Sequence, residues 1–443
     1  MLGYELGEAI EPRVADVRRG SAPATDRAAD PEAMLDAPPS QGDTGLWPRQ
    51  VWYRVNAALV FDHARSRWWS VGEPAARAAL ASRANQFTML AHQARLPHDR
   101  TSQDNHHAPD DHDNDHAADN ASFHLAPVDP AKLALARTQY TRNVARVLDH
   151  ISQGDAYQVN LAHPLDFRFT GDPRALFLRL CEHARPRMAA LIPMPDAPAH
   201  AGAPPTRRVV VSASPEIFLS IAPSAGDGAS DVNRRTITAV PMKGTRALPG
   251  PQPEDTYREL LESPKDRAEL TMIVDLMRND LGRICIPATV RVRTLREIEH
   301  HGGDHAPILQ ATSTIEGFLR PDASLQSIIR AVFPPGSVTG APKVRAMQII
   351  RALEPSERAP YCGAIGYLSD SGHASFSVAI RSACIEGRTP DAQLNSSHRP
   401  AANVITGTAR WWVGAGIVAQ SDPELEWQET LVKARAILDL CSE

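Results

Sequence analysis

Acidic positions on predicted helices are the first candidates for chemistry in this sequence. Residues 263–283 open with Ser-Pro, a helix cap followed by proline at the first helical position. The apolar residues recur at helical spacing and form one stripe: Leu270, Ile273, Val274, Met277 and Leu281. Glu269 precedes Ile273 by four residues, so it lies at the margin of that stripe. It is either a boundary carboxylate paired with Arg or Lys, or a metal ligand held on a rigid helix.

A second acidic helix is predicted from Ser421, where the sequence Ser-Asp-Pro again gives a start signal. Glu426, Glu429 and Lys433 are spaced at i, i+3 and i+7, which places them on one face of the helix. Glu429 and Lys433 have the i,i+4 spacing in the favourable order, so a surface salt bridge is the default interpretation of that pair.

An acid and an amine follow prolines that interrupt predicted strands. Glu216 comes directly after Pro215, and Lys243 follows Pro241 by two residues and precedes Gly244. Bent or bulged strands commonly aim one side chain at a site, and a lysine removed from water can act as a nucleophile or base. The alternatives are an acid in an exposed turn and a lysine that faces solvent.

Two further predicted strands combine apolar residues with polar residues or with glycine. In residues 154–167, Gln158 and Asn160 share one face, and buried polar side chains need partners in each other or in the backbone. Gly414 and Gly416 interrupt WWVGAGIV, and close approach of a ligand is the usual reason for glycine in a strand.

Two patterns are suited to binding anions. Arg381 is predicted to share a strand face with three small residues, which leaves room for a planar anion to meet its guanidinium bidentately. Thr339, Gly340 and Ala341 precede a predicted helix, so their backbone N–H groups are expected to be free for an anion.

The bulk composition excludes several classes of partner. The 443 residues carry a net charge of −5, which gives no general field for nucleic acid or an anionic membrane. The five cysteines are scattered and form no CxxC, as expected for reduced thiols in a cytoplasmic protein. No apolar run approaches the roughly 20 residues of a membrane span, and the N-terminus lacks a signal-peptide core.

Three regions are predicted along the chain. Residues 1–97 form a partial N-terminal subdomain that looks truncated, with an Ala-rich helix at 73–97. Residues 98–128 are rich in His and Asp, and without apolar anchors they are expected to be a disordered insertion and not a metal site. Residues 129–443 form the catalytic domain, in which single strands are expected at 362–368, 375–385 and 409–418, with a hairpin loop at 386–408.

The segments from Leu133 to Leu440, about 70% of the chain, resemble the chorismate-binding enzyme family. That family includes the large subunits of anthranilate and aminodeoxychorismate synthases and the isochorismate and salicylate synthases. Ten motifs appear in family order: DAYQVNL, ASPEIFL, PMKGTR, DRAELTMIVDLMRNDLGR, STIEGFL, PPGSVTGAPKVRAM, YCGAIGYL, VAIRSA, GAGIV and EWQETLVKARAIL. LGYELGEAIEP also looks like a family segment, but one that normally follows several further strands.

The resemblance implies an α+β fold with two large antiparallel β-sheets packed as a sandwich, helices outside and the site in the cleft. It implies one Mg²⁺ that bridges a substrate carboxylate to Glu269 and Glu429, a ligand set that suits this cation. Glu216 matches the general acid that protonates the departing C4 hydroxyl. The residues that match the contacts of the substrate carboxylates are Arg381, Tyr361, Gly416 and Lys433.

Two positions separate the members of the family. A lysine that activates water in isochorismate and salicylate synthases is replaced here by Gln158, whereas Lys243 stands where anthranilate synthases typically have alanine. We therefore expect an aminodeoxychorismate synthase large subunit, with Lys243 as the nucleophile. The alternatives are anthranilate synthase component I and a non-catalytic homologue that only binds chorismate.

The resemblance also implies a partner. The chain has no Cys-His-Glu glutaminase signature, so ammonia is expected to come from a separate glutamine amidotransferase subunit. One residue departs from the family pattern: Gln310 stands where a histidine near the substrate ring is common.

Overall fold

The computed structural model describes residues 1, 4, 50–51, 53, 57–62, 67–72, 122–197, 205–224, 234–248, 253–301, 308–390 and 403–442. The helix expected at 73–97 and the histidines between 98 and 116 lie outside the described residues. None of the helices in these ranges has the length and apolar character needed to cross a bilayer.

Strands make up most of the regular structure. In chain order they are β1 Ala57–Asp62, β2 Arg67–Gly72, β3 Phe123–Ala126, β4 Gln158–Gly171, β5 Met188–Ala197, β6 Thr206–Ser214, β7 Ile217–Pro223, β8 Arg235–Ala239, β9 Met242–Ala247, β10 Arg291–His301, β11 Ile308–Phe318, β12 Gly340–Ala341, β13 Ala364–Leu368, β14 Ala374–Val378, β15 Ser382–Arg388 and β16 Ile405–Ile417. The helices are α1 Pro130–Ser152, α2 Pro173–Ala184, α3 Pro253–Glu262, α4 Pro264–Gly282, α5 Leu325–Val332, α6 Lys343–Leu353 and α7 Pro423–Leu438.

The strands build two antiparallel sheets of seven strands each, besides the β1–β2 hairpin. Sheet I has the order β10-β11-β8-β7-β14-β13, with β9 also paired to β11. Sheet II has the order β12-β4-β16-β15-β6-β5, with β3 paired to β4. The expected α+β class with two large antiparallel sheets is confirmed.

Helix α4 is the helix expected from the Ser-Pro signal. The Ser263 side chain accepts a hydrogen bond from the Asp266 amide and caps its first turn. All five residues of the predicted stripe are buried and join one apolar cluster with strands of sheet I. Trp412 of β16 belongs to the same cluster, so this core also brings sheet II against sheet I.

The chain crosses between the sheets at two points that carry predicted site residues. Sheet II strand β6 leads through Pro215 and Glu216 into β7 of sheet I, and β14 of sheet I leads through Arg381 into β15 of sheet II. The single strand predicted at 375–385 is therefore wrong. Arg381 has φ of 51°, a left-handed conformation that breaks the strand and turns the chain into the other sheet.

Two predicted boundaries are also corrected. The disordered insertion was expected to reach residue 128, but Phe123–Ala126 form β3 and pair with the end of β4. The hairpin loop expected at 386–408 is shorter, because β15 extends to Arg388 and β16 begins at Ile405. In both places the strands extend beyond the predicted boundary, because backbone pairing with a neighbour sets the strand ends.

Candidate active site

A cleft between the two sheets brings together most of the predicted site residues. The space between its lining residues is about 950 Å³, a volume that includes open solvent. Its lining includes the residues Glu216, Lys243, Glu269, Tyr361, Arg381, Gly416, Glu429 and Lys433. These residues are up to 217 positions apart in the sequence, so the fold and not local order assembles the site.

Glu216 lies at the crossing from β6 to β7 and is almost fully buried, with 4% of its surface exposed. Ser337 Oγ donates a hydrogen bond to Glu216 Oε1 at 2.5 Å. Burial raises the pKa of Glu216 to about 7, although the Ser337 hydrogen bond and the charge of Lys243 act in the opposite direction. A carboxyl with this pKa holds a proton in part of the molecules at neutral pH and can donate it.

Lys243 projects into the cleft from a bulge in β9. The register shifts because Thr245 pairs with Gln310 and Lys243 pairs with Ala311, which leaves Gly244 as the extra residue. Gly244 has φ of 80°, and a Cβ there would come within 3.0 Å of the Asp266 carboxyl group. The glycine therefore fixes the bend that aims Lys243, whose side chain is only 11% exposed, away from bulk water.

Several functional groups converge on Gly416 of β16. A Cβ at this position would lie 2.8 Å from Lys243 Nζ, 3.4 Å from Glu269 Oε2 and in collision with the Gln158 amide nitrogen. The absence of a side chain at Gly416 is therefore what leaves space beside the lysine. Gln158 is fully buried, and both polar atoms of its amide lack a partner among the described residues.

The two glutamates that were predicted as metal ligands have different surroundings. Burial raises the pKa of Glu269 above its ordinary value, against the opposing charges of Lys243, whose Nζ is 3.8 Å away, and Lys265. Glu429 is 44% exposed at its side chain, and its Oε1 accepts a hydrogen bond from Lys433 at 2.6 Å. Its partial burial would raise the pKa, but Lys433, Lys243 and Lys265 together lower it.

The donor set of these two glutamates fits a magnesium ion. Mg²⁺ prefers oxygen ligands, keeps several waters and takes one or two protein carboxylates together with groups of its substrate. Glu269 and Glu429 both offer a carboxylate to this cleft. The charges of Lys243 and Lys265 act on both of them, in the direction that lowers the pKa of each.

Cationic and aromatic groups form the remaining wall. The Arg381 guanidinium makes no hydrogen bond or ion pair within the described ranges, and its pKa is lowered by burial to about 10, so it is charged at neutral pH. The Tyr361 ring stacks on Trp412 at 5.8 Å between centroids and 13° between planes. Burial raises the pKa of Tyr361 well above its ordinary value, which leaves its hydroxyl neutral and able to donate. Lys433 Nζ also donates to the Gly414 carbonyl at 3.0 Å.

The remaining predicted positions differ from expectation. Thr339, Gly340 and Ala341 are outside the cleft lining, and the prediction that all three amides are free is wrong. The Thr339 amide donates to the Gly336 carbonyl, and Gly340 and Ala341 pair with β4 as strand β12. Gln310 does line the cleft, where its Nε2 donates to Thr245 Oγ1 at 3.2 Å.

Ser337, Trp412 and Lys265 are among the cleft residues that were not singled out from the sequence. Ser337 lies in the same predicted loop as Thr339, and only the fold shows that its hydroxyl reaches Glu216. Trp412 was seen as a strand residue, not as the platform under Tyr361. Lys265 lies one helical turn before Glu269, a spacing that could have marked it as a neighbour of the carboxylate.

Comparison with known proteins identifies the family. A model of the chorismate binding enzyme family matches residues 27–439. Anthranilate synthase component 1 of Synechocystis sp. is 31% identical over 419 residues, covering 88% of this chain and 70% of that protein. Aminodeoxychorismate synthase component 1 of Escherichia coli is 36% identical over 307 residues, or 69% of this chain. The chain spans 58% of the length of that second relative.

A solved structure has the same fold. Anthranilate synthase component I from Streptococcus pneumoniae aligns with a TM-score of 0.60 at 24% identity and covers 99% of this chain and 79% of its own. The family model matches nearly the whole sequence, and residues from several of the family motifs line the same cleft. This chain therefore belongs to the chorismate binding enzyme family.

Proposed function

We propose that this chain is the synthase subunit of an aminodeoxychorismate synthase and converts chorismate and ammonia to 4-amino-4-deoxychorismate. The observation that carries the proposal is the meeting of Lys243 and Glu216 in one cleft. The lysine amine lies beside the open space at Gly416, and the pKa of the glutamate is raised to about 7. A nucleophile and a proton donor are the two groups that this reaction requires.

In the proposed reaction the Lys243 amine, in its neutral form, adds to C2 of chorismate. Electrons shift through the two ring double bonds, the C4–O bond breaks, and the hydroxyl leaves as water with the proton of Glu216. Ammonia then adds to C4, the double bonds shift back, and the C2–N bond to Lys243 breaks. The proton lost by the new amine returns to Glu216, so both residues regain their starting forms.

Binding of the dianionic substrate depends on charges from both sheets. Arg381 and Tyr361 would hold one carboxylate, with the backbone at Gly416 and the Lys433 amine close by. Glu269 and Glu429 would hold a Mg²⁺, which would supply positive charge to the other carboxylate. Among the described residues the Arg381 guanidinium has no partner, which supports this assignment, because a partly buried cation requires a partner that a ligand can provide.

The ammonia donor is proposed to be a separate glutamine amidotransferase subunit. The relatives from Escherichia coli and Synechocystis are both named component 1, which describes one part of an assembly. We propose that this chain works in the cytoplasm, on the route to 4-aminobenzoate and folate. Glutamine-dependent amination by the isolated chain would contradict the need for a partner.

Anthranilate synthesis is the second candidate, because the relative that covers 88% of this chain is an anthranilate synthase component 1. Lys243 favours the first candidate, since anthranilate synthases typically have alanine at this position. Gln158, in place of the water-activating lysine, disfavours isochorismate synthesis. A homologue that only binds chorismate would have no use for the nucleophile or the acid.

The test is identification of the product. The purified chain is incubated with chorismate, Mg²⁺ and ammonium chloride at pH 8 to 9. The products are then separated by liquid chromatography and identified by mass spectrometry. We expect 4-amino-4-deoxychorismate, which an added lyase converts to 4-aminobenzoate. Anthranilate or isochorismate as the main product, or unchanged chorismate, would contradict the proposal.

A further inference from the structure

Two backbone carbonyls in the wall of the cleft accept hydrogen bonds from one arginine side chain. Arg358 donates to the Val338 carbonyl through Nη1 at 2.9 Å and to the Asn160 carbonyl through Nη2 at 2.6 Å. Val338 ends a short 3-10 helix, Gly336–Val338, and Asn160 belongs to β4. Both are buried and line the cleft, whereas Arg358 is outside its lining. Because two carbonyls cannot pair with each other, the guanidinium supplies the donors that join these segments.

The guanidinium is itself held by Glu354, the residue that follows the last turn of α6. Arg358 Nε donates to Glu354 Oε2 at 2.9 Å and Nη2 donates to Oε1 at 2.6 Å, and the two side chains are only 1% and 2% exposed. The Ala162 amide of β4 donates to the same Oε1 at 2.9 Å. The Tyr4 ring covers the guanidinium, with 4.5 Å to the ring centroid. A bidentate pair removed from water restricts the planar guanidinium to one orientation.

The turn that Arg358 holds also carries a partner of the proposed acid. Ser337, the residue before Val338, donates from Oγ to Glu216 Oε1 at 2.5 Å. The turn is closed by hydrogen bonds from the amides of Val338 and Thr339, which reach back three residues. Because a closed turn moves as a unit, a contact that fixes the Val338 carbonyl also fixes the position of the Ser337 hydroxyl.

We propose that Arg358, fixed by Glu354, is a positioning residue that keeps the Ser337 hydroxyl on Glu216 by clamping the 3-10 turn to β4. It acts through the backbone, since its side chain is outside the cleft lining. The inference rests on the proposed function only in taking Glu216 as the acid of the reaction.

The surroundings of Glu216 show why this hydroxyl matters. Burial raises the pKa of Glu216 to about 7, and among the groups that act against burial the Ser337 hydroxyl has the largest effect. The charged groups that face the carboxyl are Lys243 on β9 and Lys433 on α7, which act in the same direction as the hydroxyl. Burial raises the pKa of the nearby Cys362 thiol to about 12, so this group is neutral.

The test follows the ionisation of Glu216 in the full chain without substrate. The protein is labelled with ¹³C at the glutamate side-chain carboxyl, and the Glu216 signal is assigned by its absence from E216Q. Its pH titration is compared between wild type, S337A, R358K and the double variant R358K/S337A. Lysine keeps the positive charge but lacks the planar fork that reaches two carbonyls and a carboxylate together. A shift in R358K therefore reports a displaced hydroxyl and not a lost charge.

We expect S337A to raise the pKa of Glu216 by about one unit, because a hydrogen bond to the charged form is lost. R358K should raise it by about half a unit to one unit for the same reason. The double variant should match S337A, because the position of the turn has no further effect once the hydroxyl is gone. E354Q keeps the shape of the glutamate but weakens its hold on Arg358, so it should shift the pKa in the same direction.

The matched control is R345K, which makes the same exchange on the same helix α6. Arg345 pairs with Asp155 and is outside the cleft lining, so Glu216 should titrate in this variant as in wild type. Thermal unfolding of each variant checks that the titrated species is folded. If R358K does not fold, E354Q takes its place in the comparison with S337A.

The clamp is overturned if the folded R358K or E354Q variant leaves the pKa of Glu216 unchanged or lowers it. It is also overturned if S337A causes no shift, or if the shifts add in the double variant, since the arginine would then act on Glu216 without the hydroxyl. Each of these results is independent of the product that the ammonia assay yields. A different product would therefore contradict the proposed function and leave the clamp standing.

Discussion

The two halves of the cleft hold their charged groups under different conditions. Sheet I and helix α4 supply Glu216, Lys243 and Glu269, whose side chains are buried or nearly so. The pKa of both glutamates is raised there by burial. Sheet II and helix α7 supply Glu429 and Lys433, which are partly exposed and hydrogen-bonded to each other, and the pKa of Glu429 is lowered.

This difference suggests a division of tasks. A dry environment favours the neutral form of an acid, which suits Glu216 as a proton donor, whereas Glu269, the proposed cation ligand of this half, is the exception to the division. A wetter environment with paired charges keeps a carboxylate ionised, which suits groups that hold a cation or an anion. Substitutions in the sheet I half should therefore change kcat, and substitutions in the sheet II half should mainly change KM.

The largest effect is expected for Lys243→Ala, which removes the proposed nucleophile from the sheet I half. Amination by ammonia should fall at least about 10³-fold in kcat while KM for chorismate changes little, since covalent catalysis is lost but the binding groups remain. Initial rates measured by product mass check this. Lys132→Ala, on the exposed face of α1, is the control and should retain full activity. If Lys243→Ala keeps a kcat near that of wild type, the covalent mechanism is contradicted.

Glu216→Gln tests the acid of the same half. An amide cannot protonate the departing hydroxyl, so kcat should fall by about 10² to 10⁴. In wild type the protonated carboxyl acts, and its pKa is about 7, so kcat should decrease as pH rises through that value. The variant should lose this dependence, and Glu182→Gln on α2 should keep it. With the concentration of free ammonia held constant, a wild-type kcat that does not decrease above pH 7 would assign the proton transfer to another group.

Lys433→Met tests the sheet II half. The variant loses the amine that pairs with Glu429 and is proposed to contact a substrate carboxylate. We expect KM for chorismate to rise about tenfold, the equivalent of one charge-assisted contact, with kcat within about threefold of wild type. Steady-state kinetics at saturating Mg²⁺ separate the two constants. If kcat falls as far as in Lys243→Ala, the division between the halves is wrong.

Ser337→Ala should give the smallest effect. The Ser337 hydroxyl stabilises the ionised form of Glu216, so its removal should raise the pKa of that carboxyl further above 7. The alkaline limb of the pH–rate profile should move to higher pH by about one unit, as expected for the loss of one hydrogen bond to a charged group. Ser337→Thr keeps a hydroxyl and serves as the matched control. A shift toward lower pH would contradict the assigned direction of this bond.

The sequence predicted those features that depend on local order. Ser263 caps α4 as expected, the apolar stripe is buried, and the proline and glycine around Lys243 do mark a bulge. The predictions that were wrong concern features that depend on tertiary structure. Arg381 continues an alternating pattern, yet the chain changes sheets there: the amide of Val378, at the end of β14, donates to the Glu216 carbonyl, and the Arg381 carbonyl accepts from the Ala213 amide of β6. No spacing rule could show that Ser337 meets an acid 121 residues earlier.

The two crossings between the sheets are joined to each other. The Val378 amide donates to the Glu216 carbonyl at 3.1 Å, and the Ala213 amide donates to the Arg381 carbonyl at 3.0 Å. The backbone segments that carry the proton donor and the guanidinium are thus tied to each other where the chain passes between the two sheets. An inserted or deleted residue in either crossing would displace both groups at once. Engineering of a new specificity into this fold should therefore keep the length of both crossings unchanged.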